Sequence, residues 1–269
     1  RERDLAIVPT LSAALSVILL MLWPHPETGW LLTMGLALAA LHAGPLLARL
    51  WQAPARLQRA VELAGIAVAA PLLGLRHAEH VWTGYSLPVA LCALGGALLV
   101  LGASALGWRA PDRRDDRRFA LLLATGGGLL MTAAWFAFAH WQAPLWTMLV
   151  ALAGLALSAK AGDRRMEPIA TTFGALALVQ LVVTFVPAPL AEPNMLVEGA
   201  GAGADLTALL RWAGLALGFG LFAWNARNVH LRRPAWLLTG LFVYGALAQR
   251  VPGWTLPIAA SAVAVALLA

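Results

Sequence analysis

Residues 109–118 read RAPDRRDDRR and hold five arginines and three aspartates. They form the only long polar run in a chain that is 61% hydrophobic and 12% charged. Charge this dense cannot lie in hydrocarbon, so we expect the whole stretch to lie in water beside a membrane. The stretch therefore sets the side of the membrane from which the neighbouring apolar segments start, and the fold follows from it.

The composition indicates that lipid is the solvent for most of the chain. The mean hydropathy is +0.76, and soluble proteins carry about twice this charged fraction, roughly 25%. The net charge of +6 would suggest nucleic acid as a partner of a soluble protein, but no aromatic residues interleave the basic ones here. We predict an integral membrane protein whose partners are membrane lipids and either other membrane subunits or the rest of a longer chain, with no nucleic acid.

Apolar segments of nearly the length that crosses hydrocarbon, about 20 residues, follow one another along the chain. Polar turns and loops separate them, so we predict an all-α fold. It is a polytopic transmembrane helix bundle forming a single domain over residues 1–269. We count about ten spans, at residues 5–23, 30–48, 60–75, 81–107, 119–139, 145–159, 169–186, 206–226, 235–248 and 254–269.

The basic residues support this count, because cytoplasmic loops of membrane proteins collect arginine and lysine. With residues 109–118 in the cytoplasm, sixteen of the nineteen basic residues fall inside. A missed or additional span would exchange the sides of all later loops. Both termini of the chain are therefore predicted to be cytoplasmic. The inner residues are Arg1, Arg3, Arg49, Arg56, Arg59, Arg109, Arg113, Arg114, Arg117, Arg118, Lys160, Arg164, Arg165, Arg227, Arg232 and Arg233, and the outer ones are Arg76, Arg211 and Arg250.

Three similar windows suggest an internal repeat. They read LTMGLALAAL at 32–41, WTMLVALAGL at 146–155 and WTLPIAASAV at 254–263, and their threonines lie 114 and 108 residues apart. Each window opens a span that runs from outside to inside, so an even number of spans separates them. A repeat of an even number of spans keeps its orientation in the membrane. The sequence thus favours a parallel repeat of four spans.

The hairpin WQAPLWTMLVALAGLALSAKAGDRR at 141–165, with GALALVQLVVTF at 174–185, resembles a known group of repeats. These are the Trp-Thr-headed repeats of large predicted bacterial multi-span membrane proteins, grouped as domain of unknown function 2339. The resemblance implies a fragment of a longer protein and carries over no catalytic residue. Arginine outnumbers lysine eighteen to one, which favours a GC-rich bacterial genome. We therefore expect the inner (cytoplasmic) membrane of a bacterium.

Polar residues at the predicted outer face form one candidate binding site. His77 and His80 are three residues apart and could share a helical face, with Glu79 beside them as a base. The three outer arginines oppose the charge bias and could form an anion pocket. The alternatives are a solvated turn and three separate arginines that reach to the interface. Neither a metal-binding motif nor a cofactor fingerprint is present, so we predict no metal and no cofactor. The candidates are Arg76, His77, Glu79, His80, Arg211 and Arg250.

Three polar residues lie inside predicted spans. Glu62 is one turn into the third span, where a carboxylate is costly and often serves proton-coupled transport. Alternatively, Gln58 and Arg59 pair with it at the interface. His42 and Gln180 lie deeper, and such residues are more often hydrogen-bonded packing residues than ligands.

Small residues and prolines carry structural predictions. Glycines within spans allow helices to approach closely, and prolines can kink them. The glycines are Gly95, Gly96, Gly126, Gly127, Gly128, Gly214 and Gly218, and the prolines are Pro45, Pro71 and Pro88.

Three functions remain open. The sequence favours the first, a structural or assembly component of the membrane, which predicts packed hairpins without a deep cavity. A transporter for a small molecule or lipid is the second, with a cavity lined by Glu62, His42 or Gln180, or helices broken at Pro71 and Pro88. The third is a membrane enzyme acting on a lipid-linked substrate at the outer face.

Overall fold

The computed structural model describes residues 7–24, 27–52, 56–77, 86–109, 116–162, 165–185, 206–249, 255, 257–259 and 261–263. In these ranges all the regular secondary structure is helical, which agrees with the predicted fold class. The long helices are α1 (Ile7–Leu22), α2 (Thr28–Leu50), α3 (Leu57–His77), α4 (Leu87–Leu106), α5 (Arg117–Ala137), α6 (Ala143–Ala161), α7 (Met166–Phe185), α8 (Leu206–Asn225) and α9 (Val229–Ala248).

A helix lies at each of the first nine predicted spans, and residues 257–259 and 261–263 of the tenth are also helical. Among the described residues, seven helices are long and apolar enough to cross a membrane, namely α2 to α8. The apolar stretch of α1, Thr10–Leu22, is shorter, and α9 carries Arg232 and Arg233 near its beginning. The chain is therefore a multi-pass helical membrane protein, and the count of ten crossings stays a prediction.

The chain divides into two compact units, Arg1–Ala137 and Phe138–Ala269. In the first unit, α3 packs on α4, α4 pairs with α5, and α1 lies against α2 and α3. In the second unit, the hairpins α6–α7 and α8–α9 are joined mainly through α6 and α8. In the first unit, the hairpins α2–α3 and α4–α5 are joined mainly through α3 and α4. The two units therefore join their hairpins through different helices, and the four-span repeat stays a prediction.

Close helix packing at glycine is confirmed at four positions. A Cβ atom on Gly126, Gly214 or Gly218 would lie 2.5–2.7 Å from a leucine or methionine side chain. On Gly96 it would overlap the Ala67 carbonyl. At Gly95 nothing lies within 4 Å, so only one glycine of this pair serves the contact between α3 and α4.

The prolines do not break the helices. α2 continues through Pro45 and α3 continues through Pro71. Pro88 lies in the first turn of α4, where its missing N–H leaves no helical hydrogen bond unmade.

Orientation is testable with single cysteines, because Cys92 is the only natural one. In a Cys92→Ala background, we expect Asp115→Cys to react with a membrane-impermeant maleimide only after the membrane is opened. Glu198→Cys, in the predicted outer loop, is expected to react in intact cells. Reaction of the cysteine at position 115 from outside would reverse the predicted orientation of every span.

Candidate functional site

A cavity of about 730 Å³ lies in the first unit between α1, α2 and α3. Its volume is within the range of roughly 300–1,000 Å³ that ligand pockets occupy. Its walls repeat at helical spacing, so one face of each helix lines it. We call it the α1–α3 groove. It is lined by Thr10, Ala13, Ala14, Val17 and Ile18 of α1, by Leu41, His42, Pro45, Leu46 and Arg49 of α2, by Arg56 just before α3, and by Gln58, Arg59, Val61, Glu62, Gly65, Ile66 and Ala69 of α3.

Three arginines stand at the predicted cytoplasmic end of the groove. The guanidinium of Arg59 donates to the carbonyl of Arg49 and, at 3.4 Å, to that of Gln52, which fastens the turn between α2 and α3. Arg49 and Arg56 are exposed. In the part of the chain that the structure describes, neither of their guanidinium groups has a hydrogen bond or ion pair. The end of the groove thus presents two available positive charges.

Two of the predicted intramembrane residues line the groove and tie its walls together. The Glu62 carboxylate accepts a hydrogen bond from Thr10 of α1 at 2.5 Å and from Gln58 at 2.8 Å. Pairing of Glu62 with Gln58 is as predicted, but Arg59 turns to the backbone of α2 instead. His42 Nε2 lies 3.3 Å from Ser16 Oγ. The polar groups therefore join α1 to both neighbouring helices.

The groove reaches about halfway across a membrane. Arg59 and Ala69 both line it on α3, and at about 1.5 Å per residue they are separated by roughly 15 Å along the helix axis. The hydrocarbon layer is about 30 Å thick. The predicted cytoplasmic end of the groove lies level with the arginines, and its other end, which is the deeper one, lies near the middle of α3.

Beyond the deeper end of the groove, His77 of α3 contacts the backbone of α1. Its Nε2 lies 3.0 Å from the carbonyl oxygen of Leu20, and Leu20 is itself buried. Neighbouring Arg76 is exposed in the last turn of α3. The predicted outer residue His77 thus acts as a link between helices at the end of the groove opposite the arginines.

Of the other predicted outer residues, the structure describes only Arg211. Arg211 lies half-buried on α8, in the second unit. Glu79, His80 and Arg250 fall outside the described residues, so an outer anion pocket stays a prediction. No group of three or more His, Cys, Asp or Glu side chains in the described ranges could hold a metal ion.

Gln180 lies in the second unit and is not among the residues that line the groove. Its Oε1 accepts a 2.6 Å hydrogen bond from Thr147 Oγ1, which joins α7 to α6. Thr147 is 1% exposed, so this pair satisfies two polar groups inside a helix contact. Gln180 is a packing residue in this structure.

Arg118 corrects the expectation that the whole charged stretch lies in water. It is only 5% exposed, and its guanidinium pairs with Asp116, donates to the carbonyl of Leu50 and lies 4.9 Å from the ring centre of Trp51. The Trp51 indole in turn donates to the Ala103 carbonyl at 2.9 Å. Burial is possible because a carboxylate, a helix-end carbonyl and an aromatic face replace water around the charge.

A second polar link, which the sequence did not indicate, lies in the second unit. The Glu167 carboxylate, at the start of α7, accepts from the backbone N–H groups of Arg227 and Asn228 at 3.1 and 3.0 Å. Asn228 caps α9 by accepting from the N–H of His230. A negative charge is favourable near the N-terminus of α9, so Glu167 joins α7 to the turn that precedes α9.

Comparison with protein-family models, with curated proteins and with solved structures finds no match to this chain. The resemblance to domain of unknown function 2339 therefore stays a prediction. A proposal about function therefore rests on the geometry of the α1–α3 groove.

Proposed function

We propose that this chain is a bacterial inner-membrane transporter for a small amphipathic molecule or lipid. The α1–α3 groove would be its binding site on the cytoplasmic side. The observation that carries the proposal is a cavity of about 730 Å³ that contains both Glu62 and His42 and ends in arginines. An amphipathic occupant fits this arrangement, because the walls are mostly apolar and the charges lie at one end.

The proposal requires that the groove be accessible from one side only. Transport by alternating access requires a site that is open to one side while the other side is closed. Under this proposal the arginines would mark the open end, and the contact of His77 with the Leu20 carbonyl, which joins α1 to α3 beyond the groove, would close the other. Opening the outer end would require α1 to separate from α3 there.

The contacts of α1 suit such a movement. Thr10, Ser16 and Leu20 each make one polar contact with α2 or α3, near the beginning, middle and end of the helix. Most other large side chains on α1 are exposed, as expected of a wall that faces lipid. Only a few hydrogen bonds therefore have to exchange when α1 moves.

A structural or assembly component has no need of this cavity, since it requires packed helices alone. The cavity therefore favours transport over a scaffold.

Filling the groove tests the proposal. Gly65 lines the groove, and nothing lies within 4 Å of the position that a Cβ atom on it would occupy. Gly65→Leu therefore places a side chain in the cavity, and its Cβ meets no other atom. In liposomes that contain the purified chain and a short-chain fluorescent phospholipid, we expect native protein to speed lipid movement between leaflets. Gly65→Leu is expected to reduce this rate by about tenfold because it occludes the site, a change that corresponds to about 1.4 kcal/mol.

Gly102→Leu is the matched control. Gly102 is exposed on α4 of the same unit, also has open space around it, and does not line the groove. Its variant is expected to retain the native rate. Equal rates for native protein, Gly65→Leu and protein-free liposomes would contradict lipid transport and leave the scaffold as the better hypothesis.

A further inference from the structure

We propose that the occupant of the α1–α3 groove is an anionic phospholipid of the cytoplasmic leaflet, whose phosphate is bound by Arg49 and Arg56. This inference rests on the proposed function and names the substrate class of the same site. The argument begins with charge. The groove is lined by three arginines and one carboxylate, Glu62, and that carboxylate already accepts hydrogen bonds from Thr10 and Gln58.

The three arginines have different tasks. Arg59 uses its guanidinium on the carbonyls of Arg49 and Gln52, so it holds the turn between α2 and α3. Arg49 and Arg56 lie on either side of that turn, and neither guanidinium donates a hydrogen bond to another described residue. A guanidinium binds phosphate through two parallel N–H donors, and both of these arginines line the groove, so each offers such a fork to a phosphate there.

The depth of these charges fits a lipid headgroup. Arg49 lies in the last turn of α2, and Arg56 directly precedes α3. Both therefore lie at the predicted membrane boundary, which is the level of phospholipid phosphates. A lipid from the same leaflet reaches the site by lateral movement and needs no passage through water.

The apolar part of the groove fits an acyl chain. From the arginines inward, the walls are formed by small and branched side chains such as Ala13, Val17, Ile66 and Ala69. These extend for about 15 Å into the membrane at about 1.5 Å per residue. A free phosphate would leave this apolar surface unfilled, so the shape of the groove favours a lipid over a soluble anion.

Native mass spectrometry of the delipidated full chain tests the inference. The probes are phosphatidylglycerol, phosphatidylcholine with the same acyl chains, and inorganic phosphate. We expect phosphatidylglycerol to bind about tenfold more tightly than phosphatidylcholine, because only the former has an uncompensated phosphate charge. The double substitution Arg49→Gln with Arg56→Gln is expected to remove that preference.

Arg109→Gln with Arg117→Gln is the matched control. Both residues are exposed, lie in the same unit at the same predicted face, and do not line the groove. This variant loses the same charge and should keep the native preference. Loss of the preference in this control, or binding of inorganic phosphate as tight as that of phosphatidylglycerol, would overturn the inference.

Gly65→Leu separates this inference from the proposed function. If Gly65→Leu weakens the binding of both lipids and native protein shows no preference between them, the groove binds lipid without reading its charge. That result overturns the headgroup assignment and leaves lipid transport standing. If Gly65→Leu weakens neither lipid, the groove is not the site, and both proposals fail.

Discussion

Replacing Arg118 with alanine is expected to lower the free energy of unfolding by about 3 kcal/mol, the scale for breaking a buried ion pair. The substitution removes the partner of Asp116, whose side chain is only 14% exposed, and Arg118 itself is 7% exposed at the side chain. It also leaves the Leu50 carbonyl without its donor and removes the cation over Trp51. Reversible unfolding in mixed detergent micelles, followed by tryptophan fluorescence, would measure the change.

Arg117→Ala is the control for this prediction. Arg117 is the exposed neighbour of Arg118 in the first turn of α5. Removing an exposed charge changes stability by about 0.5 kcal/mol or less. If the two alanine variants unfold alike, the burial of Arg118 contributes nothing, and the contact between α5 and the end of α2 is weaker than its hydrogen bonds imply.

Asp116→Asn with Arg118→Met distinguishes charge pairing from packing. Removing both members of a buried pair is often close to neutral, because no uncompensated charge remains. We expect the double variant to recover most of the stability that Arg118→Ala loses. No recovery would indicate that the cation over Trp51 and the hydrogen bond to Leu50 carry the effect.

The sequence predicted the helices well because each depends on local composition. A run of nearly 20 apolar residues between polar turns is sufficient to place a membrane helix, and α1 to α9 lie where those runs predicted them. Their ends differ by a few residues, since polar residues at the interface continue a helix beyond its apolar part. α3, for example, begins at Leu57 and ends at His77.

The groove could not be predicted, because it depends on contacts between distant parts of the chain. Thr10 and Glu62, or Ser16 and His42, are hydrogen-bonded across different helices. Nothing in the local sequence of α1 marks Thr10 as a partner for a carboxylate. Glu62 and His42 were found as candidates because polar residues are costly in hydrocarbon, but their common cavity required the structure.

Arg118 shows the opposite difficulty. Five arginines in residues 109–118 look alike in the sequence, yet Arg117 is exposed while Arg118 is buried. The rotation of α5 about its axis decides which side chain faces the end of α2. Membrane helices reveal this rotation poorly, because both their lipid-facing and their packed sides are apolar.

The rotation of α4 about its axis is equally hard to read from the sequence. Gly95 and Gly96 test it where α4 packs on α3. A Cβ on Gly96 would overlap the Ala67 carbonyl and lie 3.3 Å from a methyl group of Leu129. Because the obstacle is backbone, no change of rotamer can relieve it, and the two helices must separate. We expect Gly96→Ala to lower the free energy of unfolding by about 2 kcal/mol, as overpacking in a close-packed core does.

Gly95→Ala supplies the comparison, one residue away in the same helix. Nothing lies within 4 Å of its Cβ position, and alanine favours a helix over glycine by up to about 1 kcal/mol. Its variant is expected to unfold at the same detergent fraction as the native chain or a higher one. Equal losses at both glycines would mean that α4 is turned differently about its axis. The core that includes Ala67, Ala97 and Val100 would then pack through other residues.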